Sequence, residues 1–302
     1  MKINMQIKRW SKRIKDIFLD FMSGVGFYWL FVEIFSYSTE NKTDVLFKSI
    51  YVFFIAVFVV FIVSCIKNRP KKSFKYNLRN KDNYIEIKVG DAFENNGTII
   101  VPVNNEFDMS LGGNVLKSNS IQSQVIKKYY LGNIDHINTD ISKHIKIGNK
   151  YDVGKTIEID HAKKKLYLIV NSIKMKNNRV KSELDDFVDA LNGLWRHVAL
   201  DSGRNVNITI PLINTQHGRD SYLTREGAVK EIINSYIENS KHLNICENLI
   251  ISIHPTDLIK GNINLDEIDE YLKYQCKHYR KITLSQRDED PDNGSNIISI
   301  ES

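Results

Sequence analysis

Residues 98–115 read TIIVPVNNEFDMSLGGNV. Thr98–Val103 is a continuous run rich in β-branched residues, the pattern of a strand covered on both faces. The run ends in a polar turn, Asn104-Asn105-Glu106-Phe107-Asp108, and Leu111-Gly112-Gly113-Asn114 then opens a helix. In open α/β sheets, ligands sit in the crevice beyond the carboxyl ends of the strands. A buried strand that delivers polar side chains and paired glycines to a helix start fits that arrangement.

Outward from this unit, strand-like and helix-like runs alternate. Tyr84–Val89, Lys155–Ile159, Leu166–Val170, Asn207–Ile213 and Leu249–Ile253 read as further strands. A helix is expected from Ser182, where Ser182 and Asp185 form a capping-box-like pattern. Leu184, Phe187, Val188, Leu191, Leu194, Trp195 and Val198 supply its apolar stripe. A second helix follows Thr224, and a third runs from about Leu265 to Tyr279. Alternation of this kind predicts an α/β domain with helices covering a mixed sheet.

Three strand ends stand out. The first strand ends in Gly90-Asp91-Ala92-Phe93, and Asp91 can accept a hydrogen bond from an exocyclic amine such as adenine offers. Gly112 and Gly113 allow backbone amides to approach a ligand, and a helix N-terminus favours phosphate. The late strand ends in Ile213-Asn214-Thr215-Gln216-His217-Gly218-Arg219, again just ahead of a helix. Two such loops suggest a diphosphate. Gly-Asp is also a common turn, and Gly-Gly before a helix is also ordinary punctuation.

Upstream of the domain the chain changes character. Ser49–Ile66 (SIYVFFIAVFVVFIVSCI) carries no charge, and a bilayer core about 30 Å thick needs roughly 20 apolar residues in a helix. Ile17–Tyr37 is a second apolar stretch with only Asp20 and Glu33, both toward its ends. A secretory signal would need a small-residue cleavage site after a short apolar core, and none follows. Lys2, Lys8, Arg9, Lys12, Arg13 and Lys15 precede the first span, and Lys67, Arg69, Lys71, Lys72, Lys75, Arg79 and Lys81 follow the second. Positive-inside reasoning therefore expects a cell-membrane protein with two spans and both termini cytoplasmic. These flanks account for much of the +6 formal charge, so the charge implies a lipid surface and no nucleic-acid partner. Gly24 and Gly26 are small enough for close helix approach. Cys65, Cys246 and Cys276 lie far apart with no C-x-x-C, so neither a disulfide framework nor a zinc site is expected.

The expected organisation is a basic N-terminus (1–16), a two-helix hairpin (17–66), a basic linker (67–83), the α/β domain (84–283) and a disordered tail (284–302). Strand–GDAF–strand–VPVNNEFD–LGGNV–helix, then PLINTQHGRD before another helix, resembles a macro domain over roughly residues 84–279. It is most similar to the macro-like domain carried behind a transmembrane pair in the effectors of Thoeris-type (type II) antiphage defence. The resemblance implies a three-layer macro-like fold that binds an ADP-ribose derivative, such as a histidine conjugate. It implies that Asp91, with Ala92 and Phe93, contacts adenine. Asn104, Asn105, Leu111, Gly112, Gly113, Asn114 and Val115 would cradle the diphosphate and distal ribose, together with Ile213, Asn214, Thr215, Gln216, His217, Gly218 and Arg219. It further implies a TIR-domain, NAD-consuming partner acting through a diffusible nucleotide, self-association on activation, membrane disruption, and cell death or growth arrest.

The loops depart from the macro-domain hydrolases. V-P-V-N-N stands where those carry N-A-A-N, and L-G-G-N-V where they carry G-G-G-V. These departures favour a binder without catalytic residues or cofactor; a membrane-tethered ADP-ribosyl hydrolase is the alternative, and an anchored scaffold a third. His254 and Asp257, in HPTD after a strand, are expected to cap a turn. His136, His144 and His161 lie in apparent loops without ligand spacing, so no metal is expected. His197 is expected as a surface or satisfied residue, and Cys65 as packing.

Overall fold

A computed structural model describes residues 2–39, 49–69, 72–110, 120–161, 164–176, 180–200, 207–213, 223–259, 263–280, 282–283 and 299–300. The chain divides into two compact units, Met1–Lys71 and Lys72–Ser302.

The first unit is a helical hairpin. Helix α1 spans Lys2–Ser38 and α2 spans Ile50–Lys67. The basic N-terminus, expected as a separate segment, continues α1 without a break. Both helices contain stretches long and apolar enough to cross a membrane, Ile14–Ser38 and Ile50–Lys67. Their outward faces expose large side chains such as Phe27, Phe54, Phe58 and Ile62. The seam between them is built on Gly24, where an added Cβ would lie 2.5 Å from Val60 Cγ1. Phe21 and Phe61 meet edge to face beside it at 6.0 Å. Gly26 differs: a Cβ there would meet nothing within 4 Å. Asp20 accepts hydrogen bonds from Lys67 Nζ at 2.8 Å and Asn68 Nδ2 at 2.7 Å, clasping the two helices together.

The second unit is the expected three-layer α/β domain with a mixed sheet. Its strands are β1 (Ser73–Asn77), β2 (Tyr84–Val89), β3 (Thr98–Asn104), β4 (Thr156–His161), β5 (Lys164–Lys174), β6 (Val180–Lys181), β7 (Asn207–Pro211) and β8 (Asn248–Ile253). They run in the order β1-β2-β8-β7-β3-β5-β4, with β6 paired to β5. The pairs β2–β8, β8–β7, β7–β3 and β3–β5 are parallel, while β1 and β4 join antiparallel at the edges. Ile99, Ile100 and Val101 are fully buried, as a central strand requires.

One layer holds α3 (Ile121–Tyr129) and α4 (Ile134–Ser142), which bury Val125, Ile126, Ile137 and Ile141 against Val101, Val103 and Leu168. The other holds α5 (Leu184–Leu200), α6 (Arg225–Ser240) and α8 (Leu265–Lys277), packed on Ile85, Ile100 and Ile210. A short helix, α7 (Pro255–Ile259), follows β8. Trp195 is fully buried within this layer and donates from Nε1 to Ser235 Oγ at 2.9 Å. Gly193 of α5 lies directly on Gly154; a Cβ would sit 2.4 Å from the Gly154 carbonyl oxygen.

Several details differ from the sequence expectation. Residues 73–77, assigned to the linker, form an edge strand that buries Phe74, and Leu78 follows into the core. Ser182 does not cap α5; its hydroxyl is buried without a hydrogen-bond partner. Asp186 instead accepts from the Glu183 amide at 2.8 Å, so the capping interaction sits one residue later. In the tail, β10 (Ser299–Ile300) pairs antiparallel with β9 (Ile282–Thr283); residues 284–298 lie outside the described residues. His161 belongs to β4, and His136 to α4.

Candidate functional site at the carboxyl edge of the sheet

The parallel strands β2, β8, β7, β3 and β5 point their carboxyl ends to one edge. There the sheet opens. β3 pairs with β7 only at Thr98 and Ile99, so Ile100–Asn104 have left the ladder on that side. Strands that part in mid-sheet create a crevice flanked by loops, the usual ligand position in open α/β sheets.

On one flank β2 ends at Val89. The Gly90 amide donates to the Ile253 carbonyl at 3.1 Å, and a Cβ on Gly90 would meet no atom within 4 Å. Asp91 then caps the 3-10 turn Ala92–Glu94, with Oδ1 accepting from the Phe93 amide at 3.0 Å. Its Oδ2 is ion-paired to Lys128 Nζ at 2.5 Å. The same ammonium lies over the Phe93 ring, 4.5 Å from the centroid. Tyr129 packs against the same Phe93 ring, with 5.9 Å between centroids. Partial burial pushes the Asp91 carboxyl up. The Lys128 hydrogen bond, the Phe93 amide and the charges of Lys128 and His254 outweigh it and hold the group below its ordinary value. Asp91 is therefore an ionised acceptor at neutral pH, about one-third exposed.

On the other flank, β3 ends with a bulge between Val103 and Asn104 against β5. Asn104 Oδ1 accepts from the amides of Glu106 at 3.0 Å and Asp108 at 3.1 Å. Asn105 is buried, and its Oδ1 accepts from the Lys174 amide at 2.8 Å. Phe107 takes a left-handed φ of 53° and is fully buried. Lys174 Nζ closes the turn, bonding Asp108 Oδ2 at 2.7 Å and Glu106 Oε2 at 3.0 Å. These bonds hold Lys174 positively charged more firmly, raising it above the ordinary lysine value. The side-chain oxygens of both asparagines thus fix the turn.

A third contribution comes from β7 and β8. Ile213 is buried in the core. Thr224 Oγ1 caps α6 by accepting from the Gly227 amide at 2.9 Å. Arg225 and Asp257 form an ion pair that ties α6 to α7. His254 Nδ1 lies 2.8 Å from Thr256 Oγ1, in the capped turn expected for HPTD.

The family described as the Thoeris protein ThsA macro domain matches residues 85–254. The chain belongs to this family. Solved structures similar to it include an Oceanobacillus iheyensis macrodomain with MES bound, 16% identical, with a TM-score of 0.43, covering 68% of this chain and 97% of that one. The Oceanobacillus iheyensis macrodomain with ADP is 16% identical with a TM-score of 0.38, over 66% and 97%. The macro domain of ganglioside induced differentiation associated protein 2 is 15% identical with a TM-score of 0.38, over 58% and 79%. No curated protein sequence matches the chain.

Within this ThsA macro domain, Asp91, Ala92, Phe93, Asn104, Asn105 and Ile213 stand at the same carboxyl edge. Leu111, Gly112, Gly113, Asn114 and Val115, with Asn214, Thr215, Gln216, His217, Gly218 and Arg219, lie outside the described residues. Lys128, Tyr129 and Lys174 were absent from the sequence expectation. Their spacing from Asp91 and Asp108 carries no local signal; Lys128 reaches Asp91 from 37 positions away. Among the described residues no cluster of three or more His, Cys, Asp or Glu could hold a metal ion. His161 is instead bonded to Asp140 at 3.0 Å and stacked on Tyr130.

Proposed function

We propose that this chain is a membrane-anchored sensor and effector of Thoeris antiphage defence, whose macro domain binds an ADP-ribose-type nucleotide. Membership of the ThsA macro-domain family supports the system. The observation that carries the ligand class is Asp91, an ionised carboxylate beside an aromatic ring at the opened edge of the sheet. Such a pair suits a base that donates an exocyclic N–H and offers a flat face. The signal is a diffusible nucleotide, such as a histidine conjugate of ADP-ribose, made from NAD by a TIR-domain enzyme. Binding draws copies together in the bilayer, with both termini cytoplasmic, and the hairpins then disrupt the membrane. Gly26, open on the outer face of α1, supports contact between hairpins.

Binding without turnover is supported by the β3 loop, where Asn104 and Asn105 have their carbonyl oxygens engaged by backbone amides. Titration calorimetry on the full chain in lipid nanodiscs tests the function. Heat on adding ADP-ribose or its histidine conjugate, with the ligand recovered intact, is expected. No heat with either ligand would leave an anchored scaffold, and cleavage of an ADP-ribosyl bond would make the protein a hydrolase.

A further inference from the structure

Lys128 occupies an unusual position at the proposed base-binding flank. Its ammonium touches Asp91 Oδ2 at 2.5 Å and stands 4.5 Å from the centroid of the Phe93 ring. Those are the two features a nucleobase would use: the carboxylate for its amino group and the ring for its face. A cation over an aromatic ring fills the space a stacked base needs, and an ammonium on a carboxylate occupies the acceptor. The helix beneath cannot yield, because Val125 and Ile126 of α3 and the following Tyr130 are buried. The lysine side chain is 42% exposed, so it alone can swing out to water.

We propose that Lys128 is an internal stand-in for the base, a latch that closes the adenine flank of the site until ligand displaces it. This rests on Asp91 being the group that reads the base. Ligand binding is then an exchange: the Lys128–Asp91 pair and the Lys128–Phe93 contact break, and the base takes both partners. The latch sets a threshold on signal concentration, holding the sensor empty at low nucleotide. Its strength is bounded by its exposure. An exposed ion pair and one cation–π contact together correspond to about a 3- to 30-fold effect on affinity.

The test compares wild type with Lys128→Met and Lys128→Arg, as full-length protein in nanodiscs, titrated with ADP-ribose. Lys128→Met keeps the stem but cannot pair with Asp91, and should bind about 3- to 30-fold more tightly. Lys128→Arg, which restores both contacts, should bind like wild type. A weaker Lys128→Met would make Lys128 a ligand contact, and an unchanged one would make it a bystander; either overturns the latch while leaving the site intact. Binding by Lys128→Met alone would support a latch stronger than about 30-fold. Absence of binding in all three would overturn the latch together with the proposed function.

Discussion

Asp91→Asn separates the two jobs that the structure gives one carboxylate. Oδ1 caps the turn through the Phe93 amide at 3.0 Å, and Oδ2 faces Lys128. Asparagine is as good a cap as aspartate, so the turn should survive; Asp91→Ala would lose the cap at a cost of about 1 kcal/mol. The second oxygen becomes an NH2 donor, which cannot accept from the base. Losing a hydrogen bond to a charged acceptor costs about 1.5–3 kcal/mol, or roughly tenfold to a hundredfold in affinity. The surface pair with Lys128 is also lost, worth about 0–1 kcal/mol of stability. Thermal unfolding and calorimetric titration with ADP-ribose on the same samples read both effects. Asp91→Asn should melt close to wild type and, because ligand no longer has to break the Lys128 pair, bind about two- to a hundredfold more weakly. Wild-type affinity in Asp91→Asn would show that the carboxylate does not read the ligand. A loss of binding that merely tracks a loss of folded protein would reduce Asp91 to a cap.

The lowered Asp91 value also fixes a pH dependence. A depressed folded value means that its stabilisation is full above the unfolded value, about 3.9, and is lost as pH falls through the lower folded one. The stability of wild type relative to Asp91→Asn should therefore fall, by at most about 1 kcal/mol, only as pH drops below about 4, and a fall between about pH 7 and pH 5 would contradict the ionised state. Gly193→Ala should destabilise the domain by about 1–3 kcal/mol in urea unfolding, because the new Cβ meets backbone at Gly154 and no side chain can yield; an unchanged midpoint would refute that packing. In the hairpin, Gly24→Leu should lower disulfide crosslinking between cysteines placed at Phe21 and Phe61, while Gly26→Leu should not. The reverse result would mean that the seam runs along the other face.

The central strands were legible because a strand buried on both faces has to be largely apolar, and Ile99–Val103 and Leu249–Ile251 are. The edge strand Ser73–Asn77 was hidden because its one buried side chain is Phe74, set among lysines. The start of α5 slipped by one residue because Ser182 and Asp185 mimic a capping box, while Glu183 and Asp186 make the bond. Asp91 was identifiable from a strand end followed by Gly-Asp, but its partner Lys128 was not, since ion pairs across a fold have no sequence period. Gly24 and Gly26 look equivalent in the sequence; only the seam with Val60 tells them apart. Phe107 in a left-handed conformation carries no sequence signal, because burial against Tyr151 overrides the steric preference.

The most direct measurement of a nucleotide-gated membrane effector is dye release from vesicles containing the purified full-length protein. A ligand drives such a change only through different affinities for two states of the domain. Added histidine–ADP-ribose or ADP-ribose should release the dye from vesicles carrying wild type. Asp91→Asn should require roughly two- to a hundredfold more ligand, and protein lacking residues 1–66 should bind ligand yet release nothing. Release that occurs without nucleotide, or that is equal in wild type and Asp91→Asn at every ligand concentration, would contradict the coupling of the macro domain to the membrane.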